Sequence, residues 1–564
     1  MGIHNVIQTK FDFAAHLRKI ILSNPWVPPS GDRCPINDLP NELLAHIFHL
    51  GTFAEGEEEE EDDMYQETMD DEAVFDEKDV DEGDGFEDVD EDDEDEDSTP
   101  TTTLPFQVLV SHVCSHWRTV AIKAPTLWSE IRFVDQPAPF SRCKTWLERS
   151  QGQPIEITID CTRETETETS ESEMEAEADK PPEPFFTHSD LHSILDIITP
   201  YAACWRVFEV EVNEYSYMNI VTNALAALPA APILEVLQLH HYGDAEEADD
   251  EYDVFVPVKF KDPFPVLFSG EAPKMVQVVL WGVHLDWSVE RNRFLTGLKD
   301  LDLAYHAQDV RPTWQEFQAI LVGSPELDTL TLCVSGPRGK SDDWDADGPI
   351  TIPSLSGLVL TYHPPDYICA LLGFVRTPNI TSLALDLEVA DFSSFANLLA
   401  SPEPGGDSKK SLLSGLEHLK LSGFPCSKAT ADVMYEQLGN LRSINLKLFD
   451  ESLDQIFFEK LTQPIDPSSK ASPPAFYLPH LDTLTTAGVS GEEMRHLIEE
   501  RKKAGVPIKR LFMCEDDDVD MAHEGWFREQ LETFELFEPS DDEDELDELE
   551  LGEDEMDDEE MGED

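Results

Sequence analysis

One six-residue phrase recurs eleven times between Trp205 and Met513, apolar at its first, fourth and sixth positions. It reads WRVFEV at Trp205, LEVLQL at Leu234, MVQVVL at Met275, LKDLDL at Leu298, LDTLTL at Leu327 and LSGLVL at Leu355. It continues as ITSLAL at Ile380, LEHLKL at Leu416, LRSINL at Leu441, the weaker LDTLTT at Leu481 and IKRLFM at Ile508. Apolar residues two apart share one face of a strand. Between the phrases run segments of helical period, such as TWQEFQAILVGSPEL, with Trp314, Phe317, Ile320 and Leu321 on one side. SSFANLLASP and GEEMRHLIEERKKAGVPIKRL are two others. The phrases at Leu298, Leu327, Leu355 and Ile380 lie 25 to 29 residues apart. A strand and a helix of that length cannot close a core alone, so neighbours must stack, and the expected fold of residues 185–514 is an α/β solenoid.

The phrase resembles the irregular leucine-rich repeats of F-box proteins, although the Asn that often follows the strand is missing from most repeats. In such a solenoid the strand positions between the Leu residues line one face. Here they include Gln238, Trp281, Asp300, Asp302, Thr329, Thr331, Lys420, Asn445 and Lys447. These side chains form no single chemistry, and a face of mixed polarity reads as a surface for a protein substrate.

Charge constrains the rest. The net charge is −80, and most of the excess acid sits in three tracts: Glu55 to Asp97, Arg163 to Asp179 and Glu515 to Asp564. Tracts of one sign with few aromatics cannot bury enough apolar surface to offset chain entropy, so disorder is expected in all three. Such a chain repels nucleic acid phosphates and could attract basic proteins. Nine cysteines without a CxxC pair point away from a disulfide framework and towards a reducing compartment. With no signal peptide and no apolar run of membrane-spanning length, a cytoplasmic or nuclear protein is expected, without a membrane partner.

Two helical patterns flank the first acid tract. In LPNELLAHIFHLG, Pro40 suits a helix start and Gly51 a C-terminal cap, with Leu43, Leu44, Ile47 and Phe48 as an apolar stripe. The second begins at Pro105, where Val110, Val113, Cys114, Trp117 and Ala121 fall on one helix face. Ala124-Pro125 stops that helix, and Thr126-Leu127-Trp128 starts a short turn.

Together these halves resemble an F-box: Leu39, Pro40, Glu42 and Ile47, then Val113-Cys114, Trp117 and Leu127-Trp128. The wording SHVCSHWR and APTLWSEI resembles the large F-box set of mushroom-forming fungi. The resemblance implies docking on the Skp adaptor of an SCF-type cullin-RING ubiquitin ligase through Leu39, Pro40, Leu43, Ile47, Phe48, Val113, Cys114, Trp117, Leu127 and Trp128. The halves are separated by residues 52–103, far more than the family usually carries. Closing a tenfold longer loop costs roughly 2 kcal/mol more. Each buried Leu, Ile or Phe contributes about 1.5–3 kcal/mol, so the halves can still pair.

The expected layout is therefore α+β overall. A helix and linker (1–33) precede an F-box domain (34–131) with a disordered acidic insertion (52–103). A connector (132–162) and an acidic linker (163–184) lead to the leucine-rich-repeat-like solenoid (185–514) and an acidic tail (515–564). No phosphate loop, nucleophile elbow or HExxH motif occurs, so no catalytic role and no cofactor are expected. His112, Cys114 and His116 lie close in sequence but lack a further metal ligand at suitable spacing. DVDEGDG at Asp79 is out of register for a calcium loop. The expected function is substrate recognition for a ubiquitin ligase. The alternative is an acidic scaffold or histone-binding protein.

Overall fold

A computed structural model describes residues 35–52, 104–134, 138–163, 185–243, 254–340, 342, 344, 349–387, 390–402, 410–447, 455–465 and 475–537. The N-terminal segment, the acidic insertion from 53 to 103, the linker from 164 to 184 and the tail from 538 lie outside these residues. The chain divides into two compact units. One comprises Met1–Ser129 with Thr145–Gln153, the other Glu130–Lys144 with Pro154–Asp564.

The first unit is helical. Helix α1 spans 41–52 and is opened by the Pro40 carbonyl, which accepts from the Leu43 and Leu44 amides. Gly51 does not cap it. The helix runs through Gly51, and a Cβ there would lie 2.1 Å from Cε1 of Phe106, so the missing side chain lets that ring approach. The single helix expected after Pro105 is two: α2 (Phe106–Val113) and α3 (Ser115–Lys123). Cys114 breaks them with extended backbone, φ −159° and ψ 169°. Its Sγ accepts from the Trp117 amide at 3.4 Å, satisfying one of the free donors at the start of α3. The stripe expected to run through Cys114 is therefore split, with Val110 and Ala121 buried and Val113 exposed.

A 3₁₀ turn (Pro125–Trp128) follows where Ala124-Pro125 ends α3. The Trp128 indole donates to the Ala121 carbonyl at 2.9 Å. Its ring meets Trp146 edge-on in α4 (Ser141–Ser150), and the Arg149 guanidinium lies 4.4 Å from its centroid.

The second unit is built on one parallel sheet of fourteen strands lying side by side in chain order. Its strands are β1 (Glu130–Phe133), β2 (Ile155–Cys161), β3 (Trp205–Val212), β4 (Val236–His241), β5 (Gln277–Trp281), β6 (Asp300–Ala304) and β7 (Thr329–Cys333). A short β8 (Ile350–Thr351) leaves the sheet to pair with β10 (Val375–Arg376). The sheet continues through β9 (Gly357–Thr361), β11 (Ser382–Asp386), β12 (His418–Ser422), β13 (Ser443–Lys447), β14 (Thr483–Ala487), β15 (Arg510–Cys514) and β16 (Thr533–Phe537). Parallel neighbours need crossovers. Helices supply many of them: α5 (His188–Ile198), α6 (Tyr215–Ala227), α7 (Trp314–Gly323), α8 (Pro365–Phe374) and α9 (Ser393–Ala400). The others are α10 (Lys428–Gln437), α11 (Gln455–Thr462), α12 (Gly491–Ala504) and α13 (Met521–Gln530).

All eleven phrases lead or form strands, and their phase sets the register. Leu298 and Leu327 head phrases whose strands pair at Asp300↔Thr329, and Leu416 and Leu441 head those paired at His418↔Ser443. The fourth and sixth positions are buried; the residues between them are mostly half-buried. The sheet exceeds the expected segment at both ends. β1 straddles the expected boundary between the F-box domain and the connector, and β2 lies in the connector. Residues 515–537, expected to be disordered with the tail, form α13 and β16, where Trp526, Phe527, Phe534 and Phe537 provide apolar surface.

Strand ends share a turn. Gly282, Tyr305, Val334, Tyr362, Gly423 and Gly488 each follow a strand directly and hold positive φ. The amides of Tyr305, Val334 and Tyr362 then donate to Cys333, Thr361 and Asp386, extending the ladder by one rung. Positive φ is costly for β-branched Val334 (φ 42°). The buried Arg311 grips that turn, donating to the Val334 carbonyl at 2.7 Å and the His306 carbonyl at 2.7 Å.

Candidate interaction surfaces

In the helical unit the ten docking candidates separate by exposure. Phe48, Leu127 and Trp128 are buried, with Phe48 packed on the Trp117 ring at 4.9 Å between centroids. They hold the unit together and cannot offer much surface to a partner. Cys114 and Trp117 are half-buried, one as the helix cap and the other against Phe48. Leu39 is half-buried and Pro40 exposed at the helix entry. The remaining three are exposed apolar residues: Leu43 at 52%, Ile47 at 42% and Val113 at 61%. Leu50 and Leu109, which the pattern did not single out for docking, are also exposed. Leu43, Ile47 and Leu50 stand at i, i+4 and i+7 on α1, and Leu109 and Val113 at i and i+4 on α2, so each helix presents an apolar stripe.

In the sheet unit the nine candidate face residues all lie on strands. Gln238, Asp302, Thr331, Lys420 and Asn445 fall in one register row running across the sheet through Val279, Val359 and Ala384. Asp300 and Thr329 share the row before it, and Trp281 and Lys447 the row after. Thr331 is buried, and the other eight are half-buried. The face changes sign along the chain. Glu209, Glu211, Asp300 and Asp302 lie on β3 to β6, whereas Lys420, Lys447 and Arg510 lie on β12 to β15.

Several ionisable groups here are displaced from their ordinary behaviour by burial. Burial pushes the Asp302 carboxyl up to about 7; the neighbouring Trp281 indole opposes that shift and the Asp300 charge adds to it. Buried histidines move the other way. Burial lowers His240 and His241 to about 4, and His306 and His363 to about 3. The signs follow from linkage. Asp302 binds its proton more tightly folded than unfolded, so its contribution is present below about pH 4 and lost as pH rises through 7. The histidines bind theirs less tightly folded, so their contribution is present above pH 6.5 and lost as pH falls towards 4 and 3. Asp302→Asn is therefore expected to stabilise the sheet unit by about 4 kcal/mol at pH 8 and by less than about 1 kcal/mol at pH 4. Urea midpoints across that range test this; a pH-independent difference would show that folding does not shift the pKa of this carboxyl.

Glu209, Glu211 and His240 share this face, although sequence reading did not select them. One ligand atom from each lies within 4.8 Å of the others. The signal was present: WRVFEV and LEVLQL, aligned by phase, already pair Glu211 with His240, as β3 and β4 do. His112, Cys114 and His116 form no such group: His112 is exposed and Cys114 serves as a cap.

No helix among the described residues is long and apolar enough to cross a membrane. No family model matches the chain, and no curated protein matches it.

Proposed function

We propose that this chain is a substrate-recognition subunit of an SCF-type cullin-RING ubiquitin ligase. Its helical unit is an interrupted F-box that docks the Skp adaptor, and its sheet unit is a leucine-rich-repeat-like solenoid that holds a protein substrate. The carrying observation is the division of the F-box-like residues into a buried set (Phe48, Leu127, Trp128) and an exposed apolar set (Leu43, Ile47, Val113). A hairpin with only a structural role gains nothing from exposing these three, whereas an adaptor interface needs them. The repeat reading is supported by one parallel strand per phrase, in chain order, with register set by phase. In this role the chain performs no chemistry. It holds substrate beside a partner enzyme, turning a bimolecular encounter into a local one.

The test is capture of purified Skp adaptor by the full chain, alongside a chain whose residues 52–103 are replaced by a short linker. Capture that survives moderate salt supports apolar docking. Capture by the shortened chain alone would make the insertion inhibitory. If neither captures the adaptor, the ligase reading fails. The net charge of −80 then favours the acidic scaffold, whose hold on histones must weaken steeply as salt screens it.

A further inference from the structure

The acidic end of the sheet face carries a cluster that substrate docking leaves unused. Glu209 and Glu211 stand two residues apart on β3, so their carboxylates rise on one side of the sheet. His240, on β4, is the register partner of Glu211. A ligand atom from each of the three falls within 4.8 Å of the other two. Carboxylates close together are unremarkable on so acidic a chain, and the histidine is the discriminating residue. It is only 3% exposed, and neither Nδ1 nor Nε2 has a hydrogen-bond partner. Trp281 packs on it edge-on at 4.9 Å between centroids, and Tyr242 lies at 6.0 Å. A neutral imidazole carries one donor and one acceptor nitrogen, and burying either unpaired is unfavourable.

We propose that Glu209, Glu211 and His240 form a binding site for a divalent first-row transition-metal cation, Zn²⁺ being the type case. An imidazole with two carboxylates suits such a cation, whereas Mg²⁺ and Ca²⁺ take all-oxygen sets. Thr158 Oγ1 donates to Glu209 Oε2 at 3.4 Å, the kind of outer hydrogen bond that orients a ligating carboxylate. Three protein ligands leave a coordination position for water or for a side chain of a bound protein.

Co²⁺ is the probe, because its visible bands strengthen when it leaves octahedral water for a protein site of lower coordination number. The full chain is titrated in excess Mg²⁺ and Ca²⁺, which occupy the acidic tracts. One equivalent is expected to bind with visible bands, and Zn²⁺ is expected to displace it. His240→Gln and the double variant Glu209→Gln with Glu211→Gln should each weaken binding at least tenfold. Should His240→Gln fail to fold by circular dichroism, the double variant decides, since both glutamates are only half-buried. The absence of saturable binding by the parent chain, or an unchanged spectrum and affinity in the double variant, would overturn the site.

Discussion

A full-length chain carrying Ile47→Asp with Val113→Asp is expected to lose the Skp adaptor by at least about a hundredfold, or about 2.8 kcal/mol, while folding as well as its parent. The reasoning separates exposure from burial. Ile47 is 42% exposed and Val113 61%, so a carboxylate at either position remains hydrated in the free chain. Surface changes of that kind usually cost no more than about 0.5 kcal/mol. In an apolar interface the same carboxylates are desolvated and unpaired, and truncating even one buried anchor typically costs about 2 kcal/mol or more. Phe48→Ala is the contrasting variant. Phe48 is 1% exposed and rests on Trp117, so its loss leaves a cavity costing about 3–5 kcal/mol, and folding and capture fail together. Circular dichroism and adaptor capture on both chains distinguish the cases. If the double aspartate chain captures adaptor like its parent, the exposed stripes are not the docking surface.

How much could be read beforehand depended on which interactions are local. The strands were legible because a parallel sheet in chain order repeats one contact: the apolar side chains at positions four and six meet their counterparts on the next strand. The phrase's phase therefore carried both strand position and register. β1 and β16 obey the same rule, as Trp128–Ile131–Phe133 and Leu531–Phe534–Leu536, yet escaped notice. The first lies inside the F-box-like phrase, and the second sits in a stretch judged by its acid content as a whole. β2 differs in kind, alternating as Ile155, Ile157 and Ile159. The helix break at Cys114 was invisible to periodicity, because Val113, Cys114 and Trp117 keep helical spacing whether or not the backbone is helical between them. Gly51 misled similarly: a glycine near a helix end reads as a cap, but the distant Phe106 ring is what requires it. The division of the docking candidates into core and surface also depends on how α1 meets the second half across the long insertion, which no local pattern encodes.

A large stability loss is expected at Arg501, whose side chain is completely buried in α12. Its guanidinium donates to three backbone carbonyls: Leu478 at 2.7 Å, Tyr477 at 3.2 Å and Leu461 at 3.5 Å. Two lie in the segment entering β14, where Leu478 holds φ 51°, and one lies near the end of α11. One planar cation thus ties three segments in the interior, a task that suits a fork of five donors. Burial lowers its pKa to about 10, which leaves it charged at neutral pH. Arg501→Ala removes the donors and the packed stem together, leaving buried carbonyls unpaired at about 1–3 kcal/mol each beside a new cavity. A loss of at least about 3 kcal/mol follows, read as a lower urea midpoint at unchanged slope. Arg501→Lys should recover only part of it, because a point charge cannot reach three carbonyls in fork geometry. Arg495 on the same helix provides the scale. Its guanidinium meets Glu499 at 3.2 Å, both side chains well exposed, and lies 4.9 Å from the Trp526 ring centroid, and Arg495→Ala should cost no more than about 1 kcal/mol. Equal midpoints for Arg501→Ala and Arg495→Ala would mean that the buried guanidinium does not hold these segments together. A deficit in the first alone would identify α12 as the element that fixes the entry into β14.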